Sequence, residues 1–398
     1  MVVGGCGRVG LPLGLAFADR GLRVTLFDIN PVAVAEVEAG RLPFQEPGAA
    51  EVLARVAGLR GPNAEHRTTL DATTDPACVA EAEHVVIVVG TPVDKHLNPE
   101  PQVVPGAVAA IADQLRDGQL LILRSTLYPG VTGLVERLVA ELGKDVDVAF
   151  CPERIAEGKA MTELFELPQL VAARTERAMD RSAKLFRTLT AQVVPLEPEE
   201  AELAKLFTNT WRYIRFAIAN QLYMIANDFG LDFERIRGAM AHDYPRAADL
   251  PGAGFAAGPC LLKDTMQLAA FNNNNFTLGH AAMMVNEGLP LYVVHRLEQR
   301  YDLSTMTVGI LGMGFKADSD DPRDSLSYKL KRILRFKAAA VLTTDPHVTT
   351  DPELVPLDEV LDRADLLVVG VPHRAYAGLQ PRQPVVDIWD LYGNGVRV

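Results

Sequence analysis

The chain has 398 residues, of which 48% are hydrophobic, so it is long enough to form two or three domains with buried cores. Its 51 acidic residues outnumber 39 Lys and Arg, and the formal net charge of −12 without a basic run excludes a general nucleic-acid-binding protein. No apolar run approaches the roughly 18 residues of a membrane span. The four cysteines are too dispersed for a disulfide framework or a CxxC metal motif, and the eight histidines show no ligand spacing. We therefore expect a cytoplasmic protein without a signal peptide, without a membrane partner and without a metal.

The first half of the chain alternates short apolar runs with helical stretches. This alternation is typical of a parallel sheet covered by helices on both faces. The predicted strands in this half are Met1–Gly4, Leu22–Phe27, His84–Val89, Gln119–Leu123, Asp147–Phe150, Gln169–Ala172 and Gln192–Pro195.

A long helical pattern, Glu197–Phe229, separates that half from the rest, and Gly230 is its expected C-cap. Helical sequence continues to about residue 300, after which strands return at Met306–Leu311, Ala339–Thr343, Leu366–Val371 and Val385–Ile388. The predicted fold is α/β, with two Rossmann-like doubly wound domains joined by a central helical domain that contains the long helix. The predicted boundaries are 1–196, 197–300 and 301–398.

The first motif that carries chemistry is a GxGxxG loop, Gly5 to Gly10, between an apolar strand and a helix. Its glycines permit a tight turn and a close approach of the backbone to a pyrophosphate at the positive end of the helix. Asp28 follows the second strand, where a carboxylate binds the ribose hydroxyls and repels a 2′-phosphate. Gly5, Gly7, Gly10 and Asp28 together predict an NAD site.

The second motif is Gly258-Pro259-Cys260-Leu261-Leu262-Lys263-Asp264. Gly-Pro is typical of a helix start, and a cysteine there has its thiolate favoured by the helix dipole. Lys263 adds positive charge, and Asp264 lies on the same face as Cys260. The spacing leaves open whether Cys260 is a nucleophile or a buried structural cysteine.

Two further patterns are weaker by themselves. Lys205 and Asn209 share one face of the long helix and could donate hydrogen bonds to an oxyanion, although a solvated face is the more ordinary interpretation. Gly312 to Ala317 fits a GxGxxA loop without an obvious partner carboxylate, since the next strand ends near Asp345 only after a long gap. We interpret it as a second nucleotide-like fold that holds another ligand.

An ordered series of motifs over nearly the whole chain resembles the UDP-glucose/GDP-mannose dehydrogenase family, the nucleotide-sugar 6-dehydrogenases. The series comprises Gly5-x-Gly7-x-x-Gly10-Leu11-Pro12-Leu13, Gly90-Thr91-Pro92-Val93-Asp94, Arg124-Ser125-Thr126 with Pro129-Gly130, Cys151-Pro152-Glu153-Arg154 with Gly158-Lys159, Lys205-x-x-x-Asn209, Cys260-x-x-Lys263-Asp264, Phe315-Lys316 with Asp320-Asp321-x-Arg323-x-Ser325, and Asp345-Pro346-His347.

The resemblance implies two successive oxidations of a sugar alcohol carbon with NAD, which give a nucleotide-linked uronic acid for polysaccharide or glycan synthesis. Cys260 would form a thiohemiacetal and then a thioester, Lys205 and Asn209 would stabilise the oxygens, Asp264 and Thr126 would hold a water, and Glu153 would assist hydrolysis. The implied NAD contacts are Gly5, Gly7, Gly10, Asp28, Thr91, Thr126, Lys263 and Arg323. The implied substrate contacts are Glu153, Lys205, Asn209, Gly258, Lys316 and, across a homodimer interface built by the long helix, Arg246.

The sequence departs from the family at Ala256-Ala257-Gly258-Pro259, where a Gly-Gly-x-Cys approach to the nucleophile is usual. The stretch Pro245 to Gly252 looks more like members that act on N-acetylated UDP-hexosamines, whereas Leu261-Leu262-Lys263-Asp264 looks more like UDP-glucose or GDP-mannose members. We expect a UDP-sugar, either UDP-glucose or a UDP-N-acetylhexosamine. Two alternatives stay open: a two-electron dehydrogenase of the 6-phosphogluconate-like kind, and a nucleotide-sugar-binding protein without catalysis.

Overall fold

The computed structural model describes residues 1–57, 70–256, 258–395 and 398. The chain divides into two compact units, Met1–Phe207 and Thr208–Val398, with the boundary inside a long helix. The predicted division into three domains stays a prediction. Among the described residues, no helix is both long and apolar enough to cross a bilayer.

The first unit is built on a sheet of eight short strands that alternate with helices. Its elements are β1 Val2–Val3, α1 Gly10–Asp19, β2 Val24–Phe27, α2 Pro31–Glu38, α3 Ala49–Ala57, β3 Leu70–Thr73, β4 His84–Ile87, α4 Val103–Ala110, β5 Leu120–Leu123, α5 Val131–Glu141, β6 Asp147–Phe150, α6 Ala160–Glu166, β7 Gln169–Ala172, α7 Glu176–Phe186, β8 Val193–Leu196 and the start of α8, Pro198–Asp228.

The strand order of this sheet is β3-β2-β1-β4-β5-β6-β7-β8, which is the doubly wound arrangement of a Rossmann-like domain. Adjacent residues of a strand enter opposite cores: Leu120 and Ile122 pack on one face and Leu121 and Leu123 on the other. Both faces are therefore covered, as a mostly parallel sheet requires. The loops after β1, β2, β4 and β5 all leave from the same edge, the carboxyl edge.

The described residues of the second unit form the rest of α8, five further helices and a smaller sheet. Its other elements are α9 Phe233–Ala241, α10 Leu261–Phe271, α11 Thr277–Glu298, β9 Thr307–Leu311, α12 Leu326–Leu334, β10 Ala340–Thr344, α13 Leu357–Arg363, β11 Leu366–Val369 and β12 Val385–Val386. The sheet has the order β10-β9-β11-β12, and every pairing in it is parallel. Val308 and Ile310 pack on one face, and Leu311 packs on the other.

The predicted α/β class and the long helix are confirmed, and the predicted strands end within a residue or two of the observed ones. Pro198 starts α8 in the first turn, where its missing N–H costs no hydrogen bond, and Gly230 follows the helix with a φ of 69°. Two features of the first sheet differ from the prediction. The edge strand β3 was not predicted, because Leu-Asp-Ala-Thr has no apolar run. Strand β7 is antiparallel to β6, and strand patterns do not specify direction.

Candidate active site

The GxGxxG loop connects β1 to α1. Its three positions favour glycine over larger residues for different reasons. A Cβ at Gly10 would lie 2.3 Å from the Gly4 carbonyl oxygen, and one at Gly5 would lie 2.7 Å from the Val2 carbonyl oxygen. Gly7 is exposed, and the nearest atom to its Cβ would be 3.6 Å away. Packing within the chain therefore explains Gly5 and Gly10. Packing does not explain Gly7, and close approach of a ligand stays the predicted reason for it.

Asp28 follows β2 and lies directly beside this loop. Its Oδ2 accepts a hydrogen bond from the Cys6 N–H at 3.0 Å, and its Oδ1 accepts one from the Asn30 N–H at 3.0 Å. Ile29 and Val32 next to it leave 88% and 70% of their surface exposed. A carboxylate that can bind ribose hydroxyls, with aliphatic side chains for the adenine ring, fits NAD and disfavours a 2′-phosphate.

The loop from Gly5 to Gly10 and the neighbouring Asp28 form a surface that we call the cradle, and the N-terminus of α1 completes it. Neither an acidic side chain in the first turn nor a side-chain cap at Val9 neutralises the helix end. The partial positive charge of the helix N-terminus therefore faces the loop, where a pyrophosphate is stabilised. The described residues of the loop thus fit the cofactor that the sequence predicts.

The loops after β4 and β5 are joined by one hydroxyl group. Ser125 Oγ donates a hydrogen bond to the Val89 carbonyl oxygen at 2.7 Å and accepts one from the Val89 N–H at 2.8 Å. Thr91 lies two residues beyond Val89, and Thr126 is half-buried beside Ser125. The two predicted cofactor contacts are therefore held on loops that are fixed to each other.

Glu153 and Arg124 form a buried ion pair after β6 and β5. The guanidinium also donates to the Cys151 carbonyl oxygen at 2.9 Å and to Gln169 Oε1 at 3.1 Å. The other carboxylate oxygen of Glu153, Oε1, accepts hydrogen bonds from the N–H groups of Arg154 at 2.7 Å and of Ile155 at 3.0 Å. Glu153 is therefore held in one orientation. No sequence pattern indicates that Arg124 pairs with Glu153, because the two residues are 29 positions apart along the chain.

Lys205 and Asn209 lie one turn apart on α8, and both are buried, with 9% and 4% of their surface exposed. The interpretation of this helix face as a solvated surface is therefore wrong. A lysine and an asparagine that are both removed from water need polar or charged partners.

Cys260 is the N-cap residue of α10, and its side chain is exposed. Four residues later, Asp264 is completely buried. Asn209 Nδ2 donates a hydrogen bond to Asp264 Oδ2 at 2.6 Å, and Lys263 Nζ lies 3.1 Å from Asp264 Oδ1. The second unit thus brings the predicted nucleophile together with a buried carboxylate, an amide and an ammonium group.

The other three cysteines have unreactive surroundings. Burial raises the pKa of the Cys6 and Cys151 thiols to about 12, and burial also raises the pKa of Cys78. These thiols are protonated at neutral pH, and a protonated thiol is a poor nucleophile. Of the four cysteines, Cys260 is the one that the structure leaves exposed at a helix N-terminus.

The second glycine loop, which follows β9, already binds a carboxylate of the chain itself. Asp345 Oδ2 accepts hydrogen bonds from the Met313 N–H at 2.6 Å and from the Gly314 N–H at 2.9 Å. The loop therefore has a partner carboxylate, which the long gap along the sequence concealed.

The predicted ligand residues near this loop have defined positions. Lys316 is half-buried within the loop, and Arg323 is exposed and forms an ion pair with Asp321. A Cβ at Gly258, whose φ is 106°, would lie 2.5 Å from the Phe315 ring. Gly258 therefore fits closely against the residue before Lys316. Ala257, part of the unusual sequence before Cys260, lies outside the described residues.

Asp318, His347 and His373 place three potential metal-ligand atoms within 4.8 Å of one another. They come from three separate loops, so no sequence spacing reveals them. His373 Nδ1 accepts a hydrogen bond from the Asp318 N–H at 2.8 Å, its Nε2 bonds to Asp345 at 3.0 Å, and Arg374 pairs with the Asp318 carboxylate. His373 and Asp318 thus have protein partners, whereas His347 Nε2 is buried and forms no hydrogen bond with the described residues. The absence of a metal stays our prediction.

Three family models match the chain in order. They are the NAD-binding domain of the UDP-glucose/GDP-mannose dehydrogenase family over residues 1–190, its central domain over 199–288 and its UDP-binding domain over 309–394.

Individual relatives align with almost the whole length of this chain. A UDP-N-acetyl-D-mannosamine dehydrogenase of Yersinia pestis is 30% identical over 98% of this chain and 97% of its own. A UDP-glucose dehydrogenase structure from Pyrobaculum islandicum has a TM-score of 0.88 and 30% identity, and the match covers 97% of this chain and 93% of the other. A UDP-N-acetylmannosamine dehydrogenase structure from Pyrococcus horikoshii has a TM-score of 0.89 and 26% identity, with 100% and 97% covered. The chain therefore belongs to the UDP-glucose/GDP-mannose dehydrogenase family and is an NAD-dependent nucleotide-sugar dehydrogenase.

Proposed function

We propose that this dehydrogenase oxidises C6 of a nucleotide sugar from the alcohol to the carboxylic acid, by four electrons, through a thioester on Cys260. The observation that carries the proposal is the exposed thiol of Cys260 at the start of α10, above the buried Asp264 with its Asn209 and Lys263 partners. A two-electron alcohol dehydrogenase needs no nucleophile. The chain also has a glycine loop that fits a dinucleotide, and its Asp264 is held by Asn209 and Lys263. These features disfavour a binding protein without catalysis.

Cys260 attacks the C6 aldehyde and forms a thiohemiacetal. Its position at the N-cap gives the thiolate the favourable end of the α10 dipole, which lowers the cost of ionisation. Loss of a hydride from the thiohemiacetal carbon gives a thioester, and attack by water releases the acid and the thiol. One alcohol, two NAD+ and one water thus give one carboxylate, two NADH and three protons. The reactive aldehyde stays bound between the two oxidations.

Lys205 and Asn209 stabilise the negative charge that develops on the substrate oxygen. Both are buried, so a hydrogen bond from either has a stronger effect than it has in water. One N–H of the Asn209 amide is fixed by Asp264, and the amide has a second N–H to donate. The bond to Asp264 also sets the orientation of that amide.

Asp264 and Thr126 hold the water molecule that accepts protons from the reacting groups. Asp264 Oδ1 accepts no well-directed hydrogen bond from the described residues, so it can accept one from a water. Glu153, fixed by Arg124 and two backbone N–H groups, assists hydrolysis of the thioester.

The cofactor, when bound, accepts one hydride in each oxidation. Its proposed contacts are Gly5, Gly7, Gly10, Asp28, Thr91, Thr126, Lys263 and Arg323. Lys316, Gly258, Glu153, Lys205 and Asn209 are the proposed substrate contacts, with Arg246 contributed across a dimer.

We favour a UDP-N-acetylhexosamine as the substrate. Several curated relatives at 27–30% identity are named UDP-N-acetyl-D-mannosamine dehydrogenases, and one is named NDP-N-acetyl-D-galactosaminuronic acid dehydrogenase. The third family model is described as a UDP-binding domain, which favours uridine as the base. UDP-glucose is the second candidate, because a structure at 30% identity carries that name. The uronic acid would serve polysaccharide synthesis in the cytoplasm, where cysteines that form no disulfide, such as these four, persist.

We also propose a homodimer through α8. Trp211, Ile218 and Ile225 recur every seven residues on this helix and are 57%, 46% and 48% exposed. An unpaired apolar stripe of this kind is typical of a helix–helix interface. Trp211 and Ile218 line a groove of about 290 Å³ that also contains Arg246, whose guanidinium stacks 4.6 Å from the Tyr244 ring. Replacing Trp211 by Glu should produce monomers in sedimentation experiments, and an unchanged dimer would contradict this assignment.

Cys260→Ser tests the chemical proposal, with Cys78→Ser as the matched control. We expect Cys260→Ser to form no uronic acid while it still interconverts alcohol and aldehyde, and Cys78→Ser to behave like the wild type. Products are followed by mass spectrometry of the sugar nucleotide. Uronic acid formed by Cys260→Ser at the wild-type rate would overturn the thioester route.

A further inference from the structure

Glu202 is a completely buried carboxylate on α8, three residues before Lys205, and the proposed chemistry does not use it. Its Oε2 accepts a hydrogen bond from the Gly130 N–H at 2.6 Å. Its Oε1 accepts two more, from the Thr132 N–H at 2.8 Å and from Thr132 Oγ1 at 2.6 Å. All three donors lie at the beginning of α5.

This arrangement replaces the missing cap of α5. Gly130, the N-cap residue, has a φ of 95° and no side chain to accept a hydrogen bond from the first turn. The N–H groups and the positive end of the helix dipole would be costly to bury without a partner. The carboxylate of Glu202 supplies that partner from 70 residues away along the chain. Charge-assisted hydrogen bonds of this kind also fix direction.

Glu202 thereby connects two elements that carry proposed catalytic residues. The segment from the end of β5 to Gly130 contains Thr126. On α8, Lys205 lies three residues beyond Glu202 and therefore on the same side of the helix. The hydrogen bonds to Gly130 and Thr132 fix the rotation of the first turns of α8 about the helix axis. They also fix the position of these turns along that axis relative to the Thr126 loop.

We infer that Glu202 is a positioning residue that sets the orientation of Lys205 relative to the loop of Thr126. The inference rests on the proposed function only in the catalytic role of Lys205. A displacement of about 1 Å at a catalytic group can lower a rate constant about a hundredfold. A buried carboxylate with three donors is well suited to prevent such a displacement.

The kinetic test is a double-mutant cycle of Glu202→Gln and Lys205→Met, with Glu200→Gln, an exposed residue in the first turns of the same helix, as the control. We expect Glu202→Gln to lower kcat roughly ten- to a hundredfold with little change in the KM for NAD, and Glu200→Gln to leave kcat unchanged. If Glu202 acts through Lys205, the double variant has the kcat of Lys205→Met alone. A double variant that loses both factors would show that Glu202 is merely structural and would overturn the inference.

A second measurement does not depend on activity. Competitive acylation with trace reagent, read by mass spectrometry, reports the surroundings of each lysine, and the exposed Lys184 serves as the internal reference. We expect Glu202→Gln to change the relative labelling rate of Lys205 severalfold, and Thr132→Val, which removes one of the three donors, to change it in the same direction by less. Thr132→Val keeps the test available if Glu202→Gln does not fold. An unchanged Lys205 rate in a folded variant overturns the inference. A wild type without dehydrogenase activity instead refutes the proposed function and leaves the labelling result decisive.

Discussion

Replacing Gly7 by Ala separates cofactor binding from folding. The position is exposed, its φ lies outside the left-handed region, and an added Cβ would have no neighbour closer than 3.6 Å. The loop can therefore accommodate the methyl group in the absence of ligand. In the complex, the methyl group would occupy the space into which the pyrophosphate must come to reach the loop N–H groups.

Gly7→Ala should stabilise the free protein and weaken its binding of NADH. A Gly-to-Ala change at an unstrained position stabilises a protein by about 0.4–1 kcal/mol, because the unfolded chain loses freedom. Loss of a hydrogen bond to a charged phosphate costs about 1.5–3 kcal/mol. The dissociation constant for NADH should therefore rise roughly ten- to a hundredfold. Gly10→Ala is the contrasting variant, since its Cβ would lie 2.3 Å from the Gly4 carbonyl oxygen and should destabilise the fold by about 1–3 kcal/mol.

The thermal stability and the dissociation constant for NADH can both be measured on the same samples. Thermal unfolding of the free protein should show Gly7→Ala at or slightly above the wild type and Gly10→Ala below it. Fluorescence titration with NADH then gives the dissociation constants. If Gly7→Ala binds NADH as tightly as the wild type does, the pyrophosphate does not approach this loop and our assignment of the cradle is refuted.

Three further predictions concern charge and protonation. Asp28→Ala should weaken NAD binding and reduce the preference over NADP, as measured by kcat/KM with each cofactor; an unchanged preference would contradict the ribose assignment. Iodoacetamide at pH 8 should alkylate Cys260 well before Cys6 in peptide maps of the folded protein, because burial raises the pKa of Cys6 to about 12; the reverse order would contradict the exposure argument. Burial opposes ionisation of Asp345, but the hydrogen bond from His373 Nε2 and those from the loop N–H groups outweigh it and hold the pKa of the carboxyl well below its usual range. This stabilisation is present above the unfolded-state pKa of about 4 and is lost as the pH falls below it, so Asp345→Asn should lower the free energy of unfolding by about 2–4 kcal/mol at pH 7 and by less in acid. Urea unfolding at several pH values checks this, and a constant difference would refute the ionic contribution.

Much of the fold was predictable because local patterns determine it. The strands Asp147–Phe150 and Gln169–Ala172 have the predicted bounds, since each is a short run with clear ends. Strand β3 has a polar residue and little apolar sequence, so only its pairing with β2 makes it a strand. The direction of β7 depends on the path of the chain, which no strand pattern encodes.

The grouping of candidate site residues was predictable where a motif lies in one short segment. Cys260 and Asp264 are four residues apart, so helical geometry alone places them together. The partners that fix the site were not predictable. Arg124 reaches Glu153, and Glu202 reaches Thr132, across 29 and 70 residues. Such pairs form when strands and helices pack, and neither residue of a pair indicates the other in sequence.

The measurement that decides most directly between four-electron and two-electron chemistry is the ratio of NADH formed to sugar consumed. The purified protein is incubated with limiting UDP-N-acetylmannosamine, UDP-N-acetylglucosamine, UDP-glucose, UDP-galactose or GDP-mannose, with NADH read by absorbance and the sugar nucleotide by mass spectrometry. We predict two NADH per sugar with a UDP-sugar, and a product that carries a carboxylate. One NADH per sugar, with an aldehyde or ketone product, would contradict the thioester route and remove the proposed role of Cys260.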